Sequence, residues 1–379
     1  MEEKVYWIWL QRALGFGNYK IDKILSAIDI KTFYELGPNY WKSLSMFTER
    51  EIKNLGLLSL DYALNVCDKC INFNYKMVTY SCKDFPMLLR KIPNPPCLLY
   101  IKGDVSVLSR FCISVVGSRD ASIYGTQMAF DISYDLAKFG ITIVSGGAVG
   151  IDSASHRGAI ASNGKTVAVM ACGIDYPYLL QNSKLREEVS NFGALVSEYP
   201  PGHPVQKFNF YTRNRIISGI SSGTVVIEAA KRSGAILTAN LAVEHNRDVF
   251  VVPVNQSSPL SEGPTELISD GARVITCALD VLEEYKHFKI KDISYNRISK
   301  NNKSQDNKKN NEKAIKNLSQ QSILVFKSLK KEKIHIDELK KITGLPIQKL
   351  SSILTNLELL SLITSLPGKF YIKSIESDS

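Results

Sequence analysis

Between residues 106 and 286 the chain alternates short apolar runs with longer amphipathic stretches. The runs at 113–117, 141–144, 166–171, 194–197, 224–228 and 249–254 predict strands, and 124–139, 235–246 and 265–269 predict helices between them. A strand that is apolar on both faces must be covered on both, and strands separated by helices pair in parallel. The expected architecture is an α/β, extended Rossmann-like, doubly wound sheet over residues 85–287. Such sheets hold ligands at the carboxyl ends of their strands.

The flanks read differently. Residues 1–84 are expected to form a small helical N-terminal module of SAM or helix-hairpin-helix type, with helices at 6–13 and 20–27 around Gly15-Phe16-Gly17. Ile92-Pro93-Asn94-Pro95-Pro96 interrupts regular structure, because proline fixes φ and removes a donor. Residues 300–316 are mostly Asn and Lys, too polar to offset their ordering entropy, so 288–318 is expected to be a disordered linker. Helical patterns at 323–329, 336–342 and 347–359, then strands around a Pro367-Gly368 turn, predict a winged helix-turn-helix domain over 319–379.

Charge sharpens this outline. The formal net charge is +10, yet residues 1–105 carry a net +3, residues 106–286 a net −2 and residues 287–379 a net +9. The basic excess therefore sits in the linker and last domain, where it favours nucleic-acid affinity without defining a site. No run of about 18 apolar residues predicts a membrane span. Met1-Glu2-Glu3-Lys4 lacks a secretory pattern, and seven scattered cysteines follow no framework spacing, so a reducing cytoplasmic setting is expected.

Three segments carry candidate chemistry. The first strand runs into Gly117-Ser118-Arg119, where a tight turn, a hydroxyl and a guanidinium suit an anion, or form an ordinary corner with a surface arginine. The second turn, Ser145-Gly146-Gly147-Ala148-Val149-Gly150, allows close backbone approach to a phosphate. It does not match the dinucleotide fingerprint, and no P-loop pattern occurs, so no cofactor is expected. The third, Lys207-Phe208-Asn209-Phe210-Tyr211-Thr212-Arg213-Asn214-Arg215, interleaves cations that pair with phosphates and aromatics that stack bases. Its alternative is a loop whose arginines pair with Glu228 or Asp175.

Catalytic and metal readings are weaker. Asp152 and His156 are one helical turn apart and fit a capped turn better than a base pair. Cys67-Asp68-Lys69-Cys70 has no second cysteine pair or nearby histidine to complete a zinc site. Glu228 ends a strand, where it could bond a ligand hydroxyl or serve as an internal partner.

Taken together and in order, these segments resemble the DNA-processing protein A family (DprA/Smf). The matching run continues through Cys172-Gly173-Ile174-Asp175-Tyr176-Pro177, Arg213-Asn214-Arg215-Ile216-Ile217-Ser218-Gly219, Ser233-Gly234-Ala235-Ile236-Leu237-Thr238-Ala239 and Asp270-Gly271-Ala272, covering about 85 to 285. The resemblance implies a non-enzymatic single-stranded DNA binder that protects incoming strands during natural transformation and loads the RecA recombinase. It also implies a homodimer, and a DNA site at Ser118, Arg119, Gly146, Gly147, Lys207, Phe210, Arg213 and Arg215.

Two other classes stay open. A Rossmann-like nucleotide or nucleoside hydrolase of the lysine-decarboxylase-like kind would carry a Pro-Gly-Gly-x-Gly-Thr turn, where this chain has Gly219-Ile220-Ser221-Ser222-Gly223. A winged-helix regulator would read duplex DNA with its third helix, but 347–359 holds Lys349 as its one cation. That favours a protein-contact or auxiliary role for the last domain.

Overall fold

The computed structural model of the chain describes residues 2–17, 20–286, 320–329, 334–359, 363–366 and 370–373. They belong to two compact units, Met1–Ile293 and Ser294–Ser379. The expected linker at 288–318 lies outside the described residues.

The first unit is organised by one sheet of nine strands among the described residues: β1 (Lys76–Thr79), β2 (Leu98–Gly103), β3 (Cys112–Gly117), β4 (Thr142–Ser145), β5 (Thr166–Met170), β6 (Ala194–Ser197), β7 (Gly223–Ile227), β8 (Asp248–Val251) and β9 (Arg273–Val274). Their order is β1-β2-β6-β5-β4-β3-β7-β8-β9. Every pairing from β6 to β9 is parallel, as the doubly wound reading expects. From β3 the chain steps outward through β4, β5 and β6, then returns to place β7 on the other side of β3. That reversal opens a crevice over the carboxyl ends of β3 and its neighbours.

Alternation along β3 assigns the two faces. Ile113 and Val115 pack with Ala129 and Ile132 of α7 (Ile123–Lys138) and Ile151 of α8 (Ile151–Ala161). Cys112 and Val116 face the other way, toward Ile216 and Ile217 of α10 (Lys207–Ile220) and Ala239 of α11 (Gly234–Glu244).

The sheet is wider than expected, because β1, which lies ahead of residue 85, pairs antiparallel with β2, and β2 pairs antiparallel with β6. The helical module is also not an independent body. Its helices α1 (Glu2–Leu14), α2 (Ile21–Ala27), α3 (Ile30–Ser43), α4 (Glu49–Leu57) and α5 (Asp61–Asn72) bury Trp7, Trp9, Phe33 and Trp41 in a cluster that continues into Leu98, Tyr100, Met170 and Leu195 of the sheet. Gln11 ties the layers together, donating to the Glu198 carbonyl at 2.9 Å while the Tyr100 hydroxyl donates to Gln11 at 3.3 Å.

The second unit has helices Gln320–Ser328, Ile336–Thr343 and Ile347–Leu359 around a core that includes Phe326, Leu339, Leu350 and Leu354. Strands Ile363–Leu366 and Phe370–Lys373 pair antiparallel, and Ile334–His335 adds to the second of them. This is the winged-helix outline; the Pro367-Gly368 turn lies outside the described residues.

Candidate nucleic-acid interface

At the carboxyl end of β3 the Ser118 amide donates to the Glu228 carbonyl at 2.7 Å, and the Ser118 hydroxyl accepts from the Asp120 amide at 3.1 Å. These bonds fix the Gly117-Ser118-Arg119 turn and leave the Arg119 side chain exposed. The glycine-rich turn after β4 lies directly against it. Gly150 adopts φ +74°, and a Cβ there would stand 2.4 Å from the Ser118 carbonyl oxygen, so only glycine lets the two turns meet.

Arg213 comes up from α10 beneath that second turn. It is buried, and its Nη1 donates to the Gly146 and Val169 carbonyls at 2.7 and 2.6 Å. Burial lowers its pKa, which the Asp152 carboxylate opposes. Phe210, one helical turn earlier, lies between two cations: its ring centroid is 5.1 Å from the Arg119 guanidinium and 5.9 Å from that of Arg213. A guanidinium over the face of a Phe ring is electrostatically favourable.

These groups line one cleft of about 320 Å³, with Ser118, Arg119, Phe210 and Arg213 joined by Asn214 and Ser233. It sits at the crevice that the strand order defines. Sequence reasoning did not single out Asn214 as a lining group, although it lies inside Arg-Asn-Arg; its Nδ2 donates to the Gly234 carbonyl at 3.1 Å and so links α10 to α11. Ser233 accepts from the Ile236 amide as the N-cap of α11.

The remaining sequence candidates lie elsewhere. Gly146 and Gly147 are buried below the cleft, where their carbonyls accept from Arg213 and Asn182. Lys207 is exposed at the start of α10, outside the cleft lining. Arg215 is brought to the interior, not to this cleft. Its Nη2 meets Glu198 at 2.6 Å and its Nη1 donates to the Asn94 carbonyl at 2.6 Å, because two residues along a helix turn a side chain about 200° away from Arg213. The partner expected for it, Glu228 or Asp175, is engaged otherwise: Glu228 accepts from the Ser122 amide and hydroxyl, and Asp175 pairs with Lys69.

Asp152 accepts from the Ala148 amide of the glycine-rich turn at 3.2 Å and does not cap α8, whose N-cap is Gly150, and burial raises its pKa. His156 bonds Thr166 at 2.7 Å through Nδ1. Cys67 and Cys70 are buried, and no group of three or more His, Cys, Asp or Glu suited to a metal occurs among the described residues.

The fold and cleft define a class: a Rossmann-like α/β protein whose switch-point crevice carries cations around an aromatic ring. The profile described as "DNA recombination-mediator protein A" matches residues 76–286, and that of the "DprA winged helix domain" matches 310–369. The DNA processing protein DprA of Bacillus subtilis is 39% identical over 208 residues, covering 55% of this chain and 70% of that protein. Protein Smf of a Synechocystis strain is 29% identical over 398 residues, covering 97% and 98%. Among solved structures, DprA from Streptococcus pneumoniae is 32% identical with a TM-score of 0.66, covering 73% of this chain and 96% of its own. The Helicobacter pylori protein, described for its single-stranded DNA binding mode, is 27% identical with a TM-score of 0.51, covering 56% and 96%. The chain belongs to the DNA recombination-mediator protein A family, the DprA/Smf family of DNA-processing proteins.

Proposed function

We propose that the chain is a non-enzymatic, single-stranded DNA-binding recombination mediator that works in the cytoplasm as a homodimer, protects incoming strands during transformation, and loads RecA onto them. The observation that carries the DNA reading is the cleft in which Ser118, Arg119, Phe210 and Arg213 converge. Arg119 is exposed and can turn from the Phe210 ring to grip a phosphate, which uncovers that ring for a base, and Lys207 on the same helical turn can steer the backbone. The relatives add support, since one of them is described as binding single-stranded DNA.

The test compares single- and double-stranded DNA binding across a salt series. Tighter binding of the single strand is expected, weakened in an Arg119→Ala, Lys207→Ala double variant that remains folded. Equal affinity for both DNA forms, or an unchanged double variant, rejects this assignment. Release of free base from nucleotides by the purified protein would favour the hydrolase reading instead.

A further inference from the structure

The first turn of α10 has two sides. Phe210 faces the cleft described above, whereas Phe208 and Tyr211 line a separate cleft of about 340 Å³. Its opposite walls come from Phe16 of the helical module, Asn94 of the Pro-rich link, and Leu241 and His245 at the end of α11. We propose that this second cleft is a nucleobase site that takes bases of the same strand whose phosphates the first cleft holds, an inference that rests on the DNA-binding reading of that first cleft.

Three observations carry it. Phe208 and Tyr211 are 69% and 53% exposed, yet their rings lie nearly parallel, 6.1 Å apart with planes 19° from one another. Such a pair is an exposed aromatic platform, the surface on which bases stack irrespective of sequence. The cleft also has little free positive charge. Its arginine, Arg215, is committed to Glu198 and the Asn94 carbonyl, and Glu244 stands on the wall. A neutral aromatic base fits there and a phosphate does not. Finally, the two clefts share one helical turn, and Lys207 projects into solvent from that turn. A strand crossing it keeps its backbone against the cation while bases fall to either side.

The polar walls agree with this occupant. Asn94 and His245 offer amide and imidazole groups that can donate to or accept from base edges. His245 is buried and held neutral, with its Nδ1 3.0 Å from the Ser218 hydroxyl. Phe16 is fixed against Tyr199, with ring centroids 4.5 Å apart, so the helical module supplies a preformed wall.

The experiment is a fluorescence anisotropy titration of the full chain with oligothymidylates of about 4 and about 16 nucleotides, the range of single-strand site sizes. It uses the parent, a Phe208→Ala, Tyr211→Ala double variant, and Arg119→Ala. The double variant is expected to keep its unfolding temperature and its affinity for the short strand. It should bind the long strand roughly 5- to 150-fold more weakly, the equivalent of one stacked base, with an unchanged salt slope. A long strand with abasic positions outside the first cleft should bind the parent as weakly as the normal strand binds the variant.

An unchanged long-strand affinity in the double variant, with Arg119→Ala weakened, overturns the second site and leaves the first standing. Equal losses on both strands with a shallower salt slope also overturn it, because the aromatics would then act through the first cleft. No loss in either variant removes both readings.

Discussion

The Arg215 guanidinium lies 2.6 Å from the Glu198 carboxylate, with side chains only 4% and 2% exposed, and the same carboxylate accepts from the Gly17 amide at 3.1 Å. Glu198 thus joins α10 to the turn of the helical module. Removing one member of a buried pair leaves the other charge uncompensated, at a cost of about 3–5 kcal/mol. Arg215→Ala is therefore expected to lower stability by that order in urea unfolding. A full-stability Arg215→Ala with lost DNA affinity would instead put this arginine at the DNA surface.

Arg119 makes the opposite case. It is exposed, and its described contact is the Phe210 ring. Arg119→Ala should leave the unfolding midpoint within about 0.5 kcal/mol of the parent, as surface substitutions do. It should flatten the slope of log affinity against log salt by about 0.7, the value of one phosphate contact on a single strand. An unaltered slope would mean that Arg119 touches no phosphate.

What the sequence showed, and what it hid, follows from how each element is buried. The parallel strands were legible because runs such as Ile113-Ser114-Val115-Val116 are sealed on both faces. The antiparallel edge was not: β1 has four residues among helical patterns, and β2 follows the Pro-rich break, with nothing local to signal that it pairs with β1 on one side and β6 on the other. α10 escaped because its buried positions begin with Asn209, Thr212, Arg213, Asn214 and Arg215, so no apolar stripe marks its first half. For the same reason Arg213 and Arg215 looked alike. Only the helix separates a residue lining the cleft from one clamped on Glu198. Ser118 and Arg119 were readable because a Gly-Ser-Arg turn directly follows a strand, where such folds place ligands.

Gly146 tests how the cleft is supported. A Cβ at this position would lie 2.4 Å from Arg213 Nη1, closer than any relaxed contact. Gly146→Ala must push the guanidinium away from the Gly146 and Val169 carbonyls. Overpacking of this kind typically costs about 1–3 kcal/mol. Both stability and single-strand affinity should fall, whereas Gly140→Ala, with open space around its Cβ at φ +83°, should lower stability alone. If Gly146→Ala binds the strand normally, Arg213 is not held in place by this turn.

Acid should destabilise the first unit through its buried histidines. Burial, reinforced by the Arg213 charge, pushes the His156 pKa down to about 3. Burial with Arg247 and Arg215 lowers that of His245 to about 4. Both rings are neutral when folded, whereas an unfolded histidine binds a proton below about pH 6.5. The unfolded state therefore takes up more protons as the pH falls, and stability present above pH 6.5 is lost progressively toward pH 4. Each histidine contributes a slope of up to about 1.4 kcal/mol per pH unit in that window. Carboxylates whose pKa is lowered by the fold, such as Glu51, add their own loss only nearer their ordinary range. All three tryptophans (Trp7, Trp9 and Trp41) lie in the first unit, so their fluorescence reports its urea midpoint. His156→Gln is expected to be less stable at pH 7.5, having lost the bond to Thr166, yet to show a shallower decline between pH 6.5 and 4.5. A parent midpoint that does not move over that interval would show that the buried rings are protonated at little cost.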